Sequence, residues 1–519
     1  MISLSYNSES LEYDAYALLT SFYPGTETRQ SASEEAPGVA DGLHLNADAE
    51  GRVRLVFSAG ESFPEDKEYL YTPEKDAEPG SHEWKWAVKC FIYDALADYS
   101  GRNLPWGGLT GVRPTKLILN SARERGLGEE ELVAYMRRQY RVSEEKARLG
   151  YRIAMLEDSI LTPFRQGGYS MYIGIPFCPS TCLYCSFLSY PITLHQKEVQ
   201  SYLDCIEKEL KASTEIMAKE RLDTVYIGGG TPTALSAEEL ERLLGMVEKY
   251  LPMEQVKEFT VEAGRPDSLD AEKFRVMKAH GVDRISVNPQ TFKEETLKLI
   301  GRRQTIQQLL EAYALARAEG FDNINMDLIL GLPGETLSDV EETLKRVKEL
   351  APDSLTVHSL AIKRASKMRD WVAEHGAISG LDYERAMKIA QETAAALGMQ
   401  PYYLYRQKNM AGALENTGFA REGKYGLYNI VIMEEVQSIY AIGAGTVSKR
   451  VFAEGSEAEA SHRDAALKQL KAATGAHDRR PGAVIERCDT HKDLSLYLSD
   501  IQAMIERKRK LFGEDQGQT

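Results

Sequence analysis

Between residue 171 and about residue 398, the apolar positions of the chain follow two alternating spacings. Short apolar runs of strand length are separated by longer segments in which apolar residues recur every three or four positions, as on one face of a helix. The predicted strands are 171–177, 224–227, 258–262, 284–288, 324–330 and 354–360. Six strand–helix units in succession predict a parallel sheet. We therefore predict an α/β fold built on a partial (β/α)6 barrel.

The segments on either side of this region follow a different pattern. Two short alternating runs, 52–58 and 68–72, predict strands, and helical spacing begins near residue 83. The Gly-, Ala-, Ser- and acid-rich stretch 25–50 predicts a long exposed loop. We therefore predict three domains. They are an N-terminal α+β accessory module (1–165), the core barrel (166–400) and a C-terminal α+β extension (401–519).

Composition narrows the class of protein. The 519 residues are 43% hydrophobic and 27% charged, which is typical of soluble globular proteins. The net charge of −15 disfavours nucleic acid or an anionic membrane as a partner. Apolar runs stay well short of the ~20 residues of a membrane span, and the N-terminus lacks the features of a signal peptide. These properties predict a cytoplasmic protein without a membrane span.

Three of the six cysteines lie together in residues 172–187, YIGIPFCPSTCLYCSF. Their spacing, C-x3-C-x2-C, directly follows the first predicted strand and has no histidine nearby. A closed structural zinc site needs four ligands, whereas iron–sulfur clusters take thiolates, normally four. Three thiolates on a four-iron cluster leave one iron open for another ligand. We predict that Cys178, Cys182 and Cys185 ligate a 4Fe–4S cluster.

The other predicted strands end in glycines or polar residues. Because the loops at the carboxyl ends of barrel strands build the active site, these residues are expected to meet the cysteine loop. Taken singly, a glycine triplet most often marks a tight turn, and a polar strand end is as often solvated. The candidates are Gly228, Gly229, Gly230 and Thr231 after the second strand, Glu262 after the third, Gln290 and Arg302 after the fourth, and Asp327 in the fifth.

The cysteine loop resembles that of the radical S-adenosylmethionine (SAM) enzymes. With GGGTPT (228–233), Gln290 and DLILGLP (327–333), residues 170–450 are similar to the oxygen-independent coproporphyrinogen III dehydrogenase family. TGVRPTK (110–116) resembles its long-chain, HemZ-type branch. The resemblance implies that SAM binds the open iron, that an electron donor reduces the cluster, and that Tyr184 packs on the adenine. It also implies that SAM is surrounded by Tyr172, Gly229, Gly230, Thr231, Glu262, Gln290, Arg302 and Asp327.

Two departures from that family leave the reaction open. The dehydrogenases carry a fourth cysteine two positions after the third, where this chain has Phe187, and a histidine where it has Gly174. The Cys-x-Phe ending is shared with relatives that act as heme chaperones. The resemblance therefore implies oxidative decarboxylation of porphyrinogen propionates to vinyls in heme biosynthesis. The alternatives are a heme chaperone with a SAM-binding cluster, or another radical SAM reaction on a tetrapyrrole.

Two groups of cations outside the predicted barrel site have alternative interpretations. The first group, Arg406, Lys408, Arg421 and Lys424, is interleaved with tyrosines. This pattern suits a flat, carboxylated ligand, although a β-hairpin with inward-facing tyrosines would give the same pattern. We predict that this first group contacts the tetrapyrrole. The second, Arg113 and Lys116, opens a helix and either contacts an anion or is solvated.

Overall fold

The structure is a computed structural model with side chains. It describes residues 1–24, 26–32, 41–73, 78–111, 113–363, 366–376, 380–407, 410–452, 459–460, 462–463 and 484–513. Lys408 of the predicted tetrapyrrole group lies outside these residues. Among the described helices, none combines the length and the apolar character needed to cross a bilayer.

The strands and helices are numbered in chain order. The strands are β1 Ile2–Tyr6, β2 Thr28–Ala32, β3 Gly42–Ala47, β4 Val53–Ser58, β5 Lys67–Tyr71, β6 Tyr169–Ile175, β7 Phe177–Cys178, β8 Tyr190–Pro191, β9 Leu222–Gly229, β10 Glu258–Val261, β11 Arg284–Ser286, β12 Ile324–Leu330, β13 Ser354–Ser359, β14 Gln400–Tyr405, β15 Asn416–Ala420, β16 Ser438–Ile442, β17 Val447–Val451 and β18 Ile485–Asp489. The helices are α1 Glu9–Phe22, α2 His82–Ser100, α3 Pro114–Arg125, α4 Glu129–Tyr140, α5 Glu144–Leu161, α6 Ile192–His195, α7 Val199–Ile216, α8 Ala237–Tyr250, α9 Ala271–Ala279, α10 Glu294–Leu299, α11 Ile306–Ala318, α12 Leu337–Leu350, α13 Met368–His375, α14 Tyr383–Ala396, α15 Leu427–Glu434, α16 Leu494–Ser499 and α17 Ile501–Phe512.

The six predicted core strands form one parallel row. They are hydrogen-bonded in the order β6-β9-β10-β11-β12-β13. Helices α7, α8, α9, α11 and α12 lie between successive strands in the chain. Within the described residues, β14 and β18 are the two edge strands of this sheet, which does not close on itself. The α/β prediction is confirmed, and the open sheet agrees with a partial barrel.

Each core strand has an apolar face and a polar face. Apolar side chains such as Met171, Ile173 and Ile175 are fully buried in the main hydrophobic core, together with Leu203 and Ile206 of α7. Because side chains alternate across a strand, the intervening positions share the opposite face. These are Tyr172 and Gly174 in β6, Tyr226 and Gly228 in β9, Glu258 and Thr260 in β10, Arg284 and Ser286 in β11, Asn325 and Asp327 in β12, and Thr356 and His358 in β13.

The strands beyond residue 400 extend this sheet on both sides. The antiparallel pair β14–β15 lies beside β13, whereas β16 runs parallel to β6 and continues into β17 and β18. The sequence interpretation that the barrel pattern stops near residue 398 therefore misses strands of the same sheet. Of the two interpretations of the tyrosine-rich segment, the antiparallel strand pair is the one observed, with Tyr402 and Tyr403 buried.

The first residues of the chain form a second sheet in the order β2-β1-β3-β4-β5. The prediction of one long loop over residues 25–50 is wrong, because β2 and β3 lie within that stretch. Leu43 and Leu45 of β3 are fully buried with the apolar faces of α1 and α2. The acidic and small residues around Leu43 and Leu45 made this short apolar alternation hard to recognise in the sequence.

A buried ion pair joins α5 to the central sheet. Glu415, which has no exposed surface, precedes β15 and accepts hydrogen bonds from Lys146 Nζ (2.6 Å) and Trp106 Nε1 (2.7 Å). Lys146 is itself only 6% exposed. Removing one member of such a pair leaves an uncompensated charge in a low-dielectric interior, which is more costly than the net benefit of the intact pair.

We predict that Lys146→Met lowers the free energy of unfolding by about 3–5 kcal/mol, because Glu415 remains buried without its countercharge. The double variant Lys146→Met/Glu415→Leu should regain much of this loss. Both effects are measured as shifts of the urea midpoint. Arg54→Met, which breaks the exposed pair with Glu68, is the matched control and should shift the midpoint little. An equal shift in the control would contradict this assignment.

Candidate active site

The cysteine loop is held by backbone hydrogen bonds at both of its ends. Beyond β6, the N–H groups of Gly230 and Thr231 donate to the carbonyls of Ile175 (2.7 Å) and Phe177 (2.8 Å). Farther along the loop, Leu183 donates to Ile300 and accepts from Met368, both at 2.9 Å. Hydrogen bonds within the protein thus fix the loop to the end of β9, the end of α10 and the start of α13.

The three cysteines line one cavity, and two of their thiols have polar partners. Thr231 Oγ1 donates to Cys178 Sγ (3.4 Å), and Arg265 Nη1 donates to Cys182 Sγ (3.5 Å). Burial raises the pKa of the Cys178 thiol to about 11 and also raises the pKa of Cys185. Coordination to iron would reverse this, because a metal-bound thiol is held as the thiolate.

The arrangement is compatible with a multinuclear cluster. Within the described residues, no three His, Cys, Asp or Glu side chains are placed to hold one metal ion. A four-iron cluster does not need such convergence, because each thiolate binds a different iron. Three cysteines that stand apart around one cavity, with Thr231 and Arg265 donating to their sulfurs, are consistent with that geometry.

The glycine stretch after β9 leaves no room for side chains beside the cysteine loop. A Cβ at Gly230 would lie 2.7 Å from the Phe177 carbonyl oxygen and 3.0 Å from Cys178 Sγ. Gly229 has φ +109°, and a Cβ there would lie 3.2 Å from the Ile175 backbone. Only glycine permits this approach, so exposed backbone borders the cavity beside the first cysteine.

Two carboxyl groups line the same cavity as the glycine stretch. Glu262 accepts from Tyr226 OH (2.6 Å), and burial raises its pKa to about 7. Asp327 accepts from the side-chain amides of Asn288 and Asn325, both at 2.7 Å. An ammonium group bound beside Glu262 would favour its ionised form and lower this pKa again.

Gln290 and Arg302 each leave one polar atom without a partner among the described residues. Gln290 has φ +64°, unusual for a residue other than glycine, and its Oε1 is buried and unpaired. Arg302 donates through Nη1 to the carbonyls of Asn288 (2.6 Å) and Gly264 (3.3 Å), whereas Nε has no partner. Buried polar atoms of this kind normally find a partner, and a ligand in the adjoining cavity would provide one.

All of the predicted cofactor residues line a single cavity of ≈ 430 Å³. Tyr172 and Tyr226 line this cavity, and the ring of Tyr428 stacks on both of them, with centroids 4.5–6.1 Å apart among the three rings. The predicted set of cavity-lining residues consists of Cys178, Cys182, Cys185, Tyr172, Tyr184, Gly229, Gly230, Thr231, Glu262, Gln290, Arg302 and Asp327. Their roles toward the cluster and SAM stay predictions, because the geometry shows only that they meet in one place.

Sequence reasoning missed several residues that line the same cavity. Arg265 lies three residues beyond Glu262, so its place after a strand end was a usable signal. His358 lies on the polar face of β13, 3.9 Å from Asp327 Oδ1 and 3.5 Å from Tyr405 OH. Its alternation with Thr356 was visible in the sequence. Ile432 and Met433 of α15 had no such signal, because only tertiary packing brings that helix to the cavity.

The comparisons with known proteins agree with this site. The family model of the radical SAM superfamily matches residues 172–347. The Bacillus subtilis (strain 168) protein named oxygen-independent coproporphyrinogen-III oxidase-like protein HemZ is 38% identical over 395 residues, which is 75% of this chain and 79% of that protein. The chain belongs to the radical SAM superfamily. Within it, the chain belongs to the HemZ-type group of coproporphyrinogen oxidase-like proteins, and its cofactors are a 4Fe–4S cluster and SAM.

Two further similarities cover less of the chain. Heme chaperone HemW of Bacillus subtilis (strain 168) is 40% identical over 195 residues, 37% of this chain and 51% of that protein. The solved coproporphyrinogen III oxidase HemN from Escherichia coli, described as a radical SAM enzyme, aligns at TM-score 0.45. That alignment has 21% identity and covers 69% of this chain and 81% of the other.

The cations predicted to hold a tetrapyrrole lie elsewhere. Arg406 is buried, and its guanidinium donates to the carbonyls of Leu109, Ala413 (2.9 Å) and Leu414 (3.3 Å). Burial among these neutral acceptors lowers the Arg406 pKa to about 10. The interpretation of Arg406 as a carboxylate-binding residue is therefore wrong, because its donors already serve the protein backbone.

Arg421 and Lys424 pair with Asp353 (3.5 Å) and Asp322 (3.1 Å) respectively. These carboxylates precede β13 and β12, so both cations lie at the amino ends of the strands, opposite the cysteines. The prediction that they contact the ligand is therefore also wrong.

Arg113 contacts a carboxylate of the protein itself. It pairs with Glu435 at 2.5 Å, directly after α15, and Thr115 Oγ1 donates to Glu434 (3.3 Å). Arg113 and Lys449 together lower the Glu435 pKa to about 2 despite partial burial. Of the two interpretations of this turn, anion contact is observed for Arg113, and it fixes the helix that carries Tyr428.

We predict that Ala at Cys178, Cys182 or Cys185 prevents assembly of an oxygen-sensitive cluster, because each thiolate ligates a different iron. Anaerobically reconstituted wild-type protein should contain about four irons per chain and show a reduced-cluster EPR signal that each variant lacks. Cys488→Ala, in β18, is the matched control and should retain both. Loss of the signal in the control alone would show that the loop assignment is wrong.

We further predict that Gly229→Val weakens SAM binding about tenfold or more, because a side chain at φ +109° displaces backbone that would contact the SAM amino group. This corresponds to roughly one charge-assisted hydrogen bond. Affinity is measured by anaerobic equilibrium dialysis, with iron content determined on the same samples. Gly245→Ala, where the added Cβ meets open space, is the control. Wild-type affinity in Gly229→Val would exclude this placement.

Proposed function

We propose that the protein catalyses a radical SAM reaction on a tetrapyrrole, the oxidative decarboxylation of porphyrinogen propionates to vinyl groups. In each turnover a propionate would lose one hydrogen atom from its β-carbon, carbon dioxide, and one electron to an external one-electron acceptor. The observation that supports the proposal is one cavity that is lined both by the three cysteines and by side chains on the polar face of the sheet. An outside electron donor would reduce the cluster.

The cavity is partly open to solvent, and a macrocycle lying across its opening would close it for radical chemistry. The bound cluster and SAM supply a carbon-centred radical, which must be kept from competing hydrogen donors and water. Tyr172 and Tyr226, on which Tyr428 stacks, form one wall of the cavity, and the paired Asp327, Asn288 and Asn325 form another. These groups would orient the cofactor and the reacting propionate while excluding water.

The size of the cavity supports different positions for the two ligands. A volume of ≈ 430 Å³ lies in the usual range for one small-molecule site. SAM would occupy the inner part, beside the cysteines and the glycine stretch. The macrocycle would then lie across the opening, with one propionate extending inward. The Bacillus subtilis relative that aligns over 395 residues is named as coproporphyrinogen oxidase-like, which supports this reaction class.

A heme chaperone is the second candidate. Phe187 stands where the dehydrogenases carry a fourth cysteine, and its side chain is 68% exposed beside the cavity. The similarity to proteins named heme chaperone HemW supports the same interpretation. An exposed aromatic ring beside an opening would serve transient binding of a flat macrocycle as well as it would serve catalysis.

The two functions are distinguished by anaerobic incubation of reconstituted protein with SAM, dithionite and coproporphyrinogen III. We predict SAM-dependent products that have lost carbon dioxide and gained vinyl groups, measured by mass spectrometry. Cys182→Ala should form none. A parallel heme titration completes the test. Stoichiometric heme binding with no SAM-dependent product would favour the chaperone and exclude the decarboxylase.

A further inference from the structure

One cation at the opening of the cavity has no protein carboxylate as a partner. Four Lys or Arg side chains line the cavity in the described residues: Arg265, Arg284, Arg302 and Lys363. Arg265 pairs with Asp267 (2.7 Å), Arg284 donates to Ser354 Oγ (3.1 Å), and Arg302 donates to backbone carbonyls. Across the described part of the chain, Lys363 forms no ion pair, so it is the cation most available to an anionic ligand.

The surroundings of Lys363 are apolar on one side and open on the other. Its ammonium lies 5.4 Å from the centre of the Phe187 ring, and the side chain is half-buried. The ammonium also interacts electrostatically with Cys185, and a bound anion would replace the hydration that this partly buried group loses. Phe187 itself is 68% exposed, so much of its surface is accessible to a ligand at the cavity.

The backbone fixes Lys363 relative to the cysteine loop. Its carbonyl accepts from the Ser366 N–H (3.1 Å) and from Ser366 Oγ (2.8 Å). Two residues later, the Met368 N–H at the start of α13 donates to Leu183 in the cysteine loop. Lys363 and Phe187 are therefore held beside each other at the same opening rather than on independent loops.

We propose that Lys363 and Phe187 form the recognition site for a carboxylate-bearing macrocycle at the cavity opening. The Lys363 ammonium binds one peripheral carboxylate, and the Phe187 ring packs against the face of the macrocycle. This pair takes the role that the sequence had assigned to Arg406, Arg421 and Lys424. The identity of the ligand as a tetrapyrrole rests on the proposed function, whereas the assignment of the two residues rests on the geometry.

The carboxylate that Lys363 binds could have two sources. One is a propionate of the tetrapyrrole, and the other is the carboxylate of SAM, because Lys363 and Cys185 line the same cavity. We assign it to the tetrapyrrole because Phe187, the immediate neighbour of Lys363, faces outward. A test must therefore measure both ligands separately on the same variant.

The experiment uses reconstituted holoenzyme under anaerobic conditions, with coproporphyrin III and its uncharged tetramethyl ester as probes. Lys363→Met should weaken coproporphyrin binding about tenfold or more, as expected for loss of a charge-assisted hydrogen bond, and leave ester and SAM binding unchanged. Lys363→Arg should retain most of the affinity. Phe187→Ala should weaken both porphyrins. Lys367→Met, an exposed lysine of the same segment, is the matched control, and iron content verifies folding.

Each other result would overturn the inference in a recognisable way. If Lys363→Met binds coproporphyrin as tightly as the wild-type protein does, the carboxylate site lies elsewhere. The proposed function would then be unaffected. Equal losses in Lys363→Met and Lys367→Met would indicate diffuse attraction rather than a site. A selective loss of SAM affinity would assign Lys363 to the cofactor. Failure of the wild-type protein to bind either porphyrin would remove the proposed function together with this site.

Discussion

The close contact between the end of β6 and the glycine stretch after β9 is the constraint on which the candidate site depends. Parallel pairing runs from Ser170 beside Thr224 to Ile175 beside Gly229, and two further hydrogen bonds carry it into the cysteine loop. Side chains at Gly229 or Gly230 would separate the two segments. The same absence of side chains leaves backbone groups facing the cavity, so one requirement of packing also creates a surface for a ligand.

The N-terminal residues contribute to the site through α15 rather than by direct contact. Arg113 and Thr115 bind the carboxylates that end this helix, and Tyr428 near its start stacks against Tyr226. The buried pair of Lys146 and Glu415 anchors a neighbouring part of the same interface. The TGVRPTK segment thereby acquires a physical role, because it positions a wall of the cavity from outside.

The sequence was informative wherever a local pattern determined the outcome. Alternation located all six core strands, and the spacing of Cys178, Cys182 and Cys185 identified the loop that the structure places at the carboxyl ends of those strands. Sequence reasoning failed where contacts between residues far apart in the chain determine the structure. Arg406 looks available in the sequence, and only tertiary structure shows that backbone carbonyls occupy its donors. Likewise β16 joins the sheet beside β6, far from it in the chain, because nothing local specifies its neighbour.

The two departures from the dehydrogenase pattern have different physical origins. At Gly174, a Cβ would lie 2.5 Å from Thr446 Cγ2, so the turn that follows β16 leaves no room for a histidine there. Phe187, by contrast, is exposed and under no packing constraint, so its identity is open to selection by a ligand. A buried position restricted by its neighbours says little about reaction type, whereas an exposed aromatic residue at a cavity opening bears directly on what enters. The distinction between dehydrogenase and chaperone is therefore best sought at the opening, because the cavity interior suits either function.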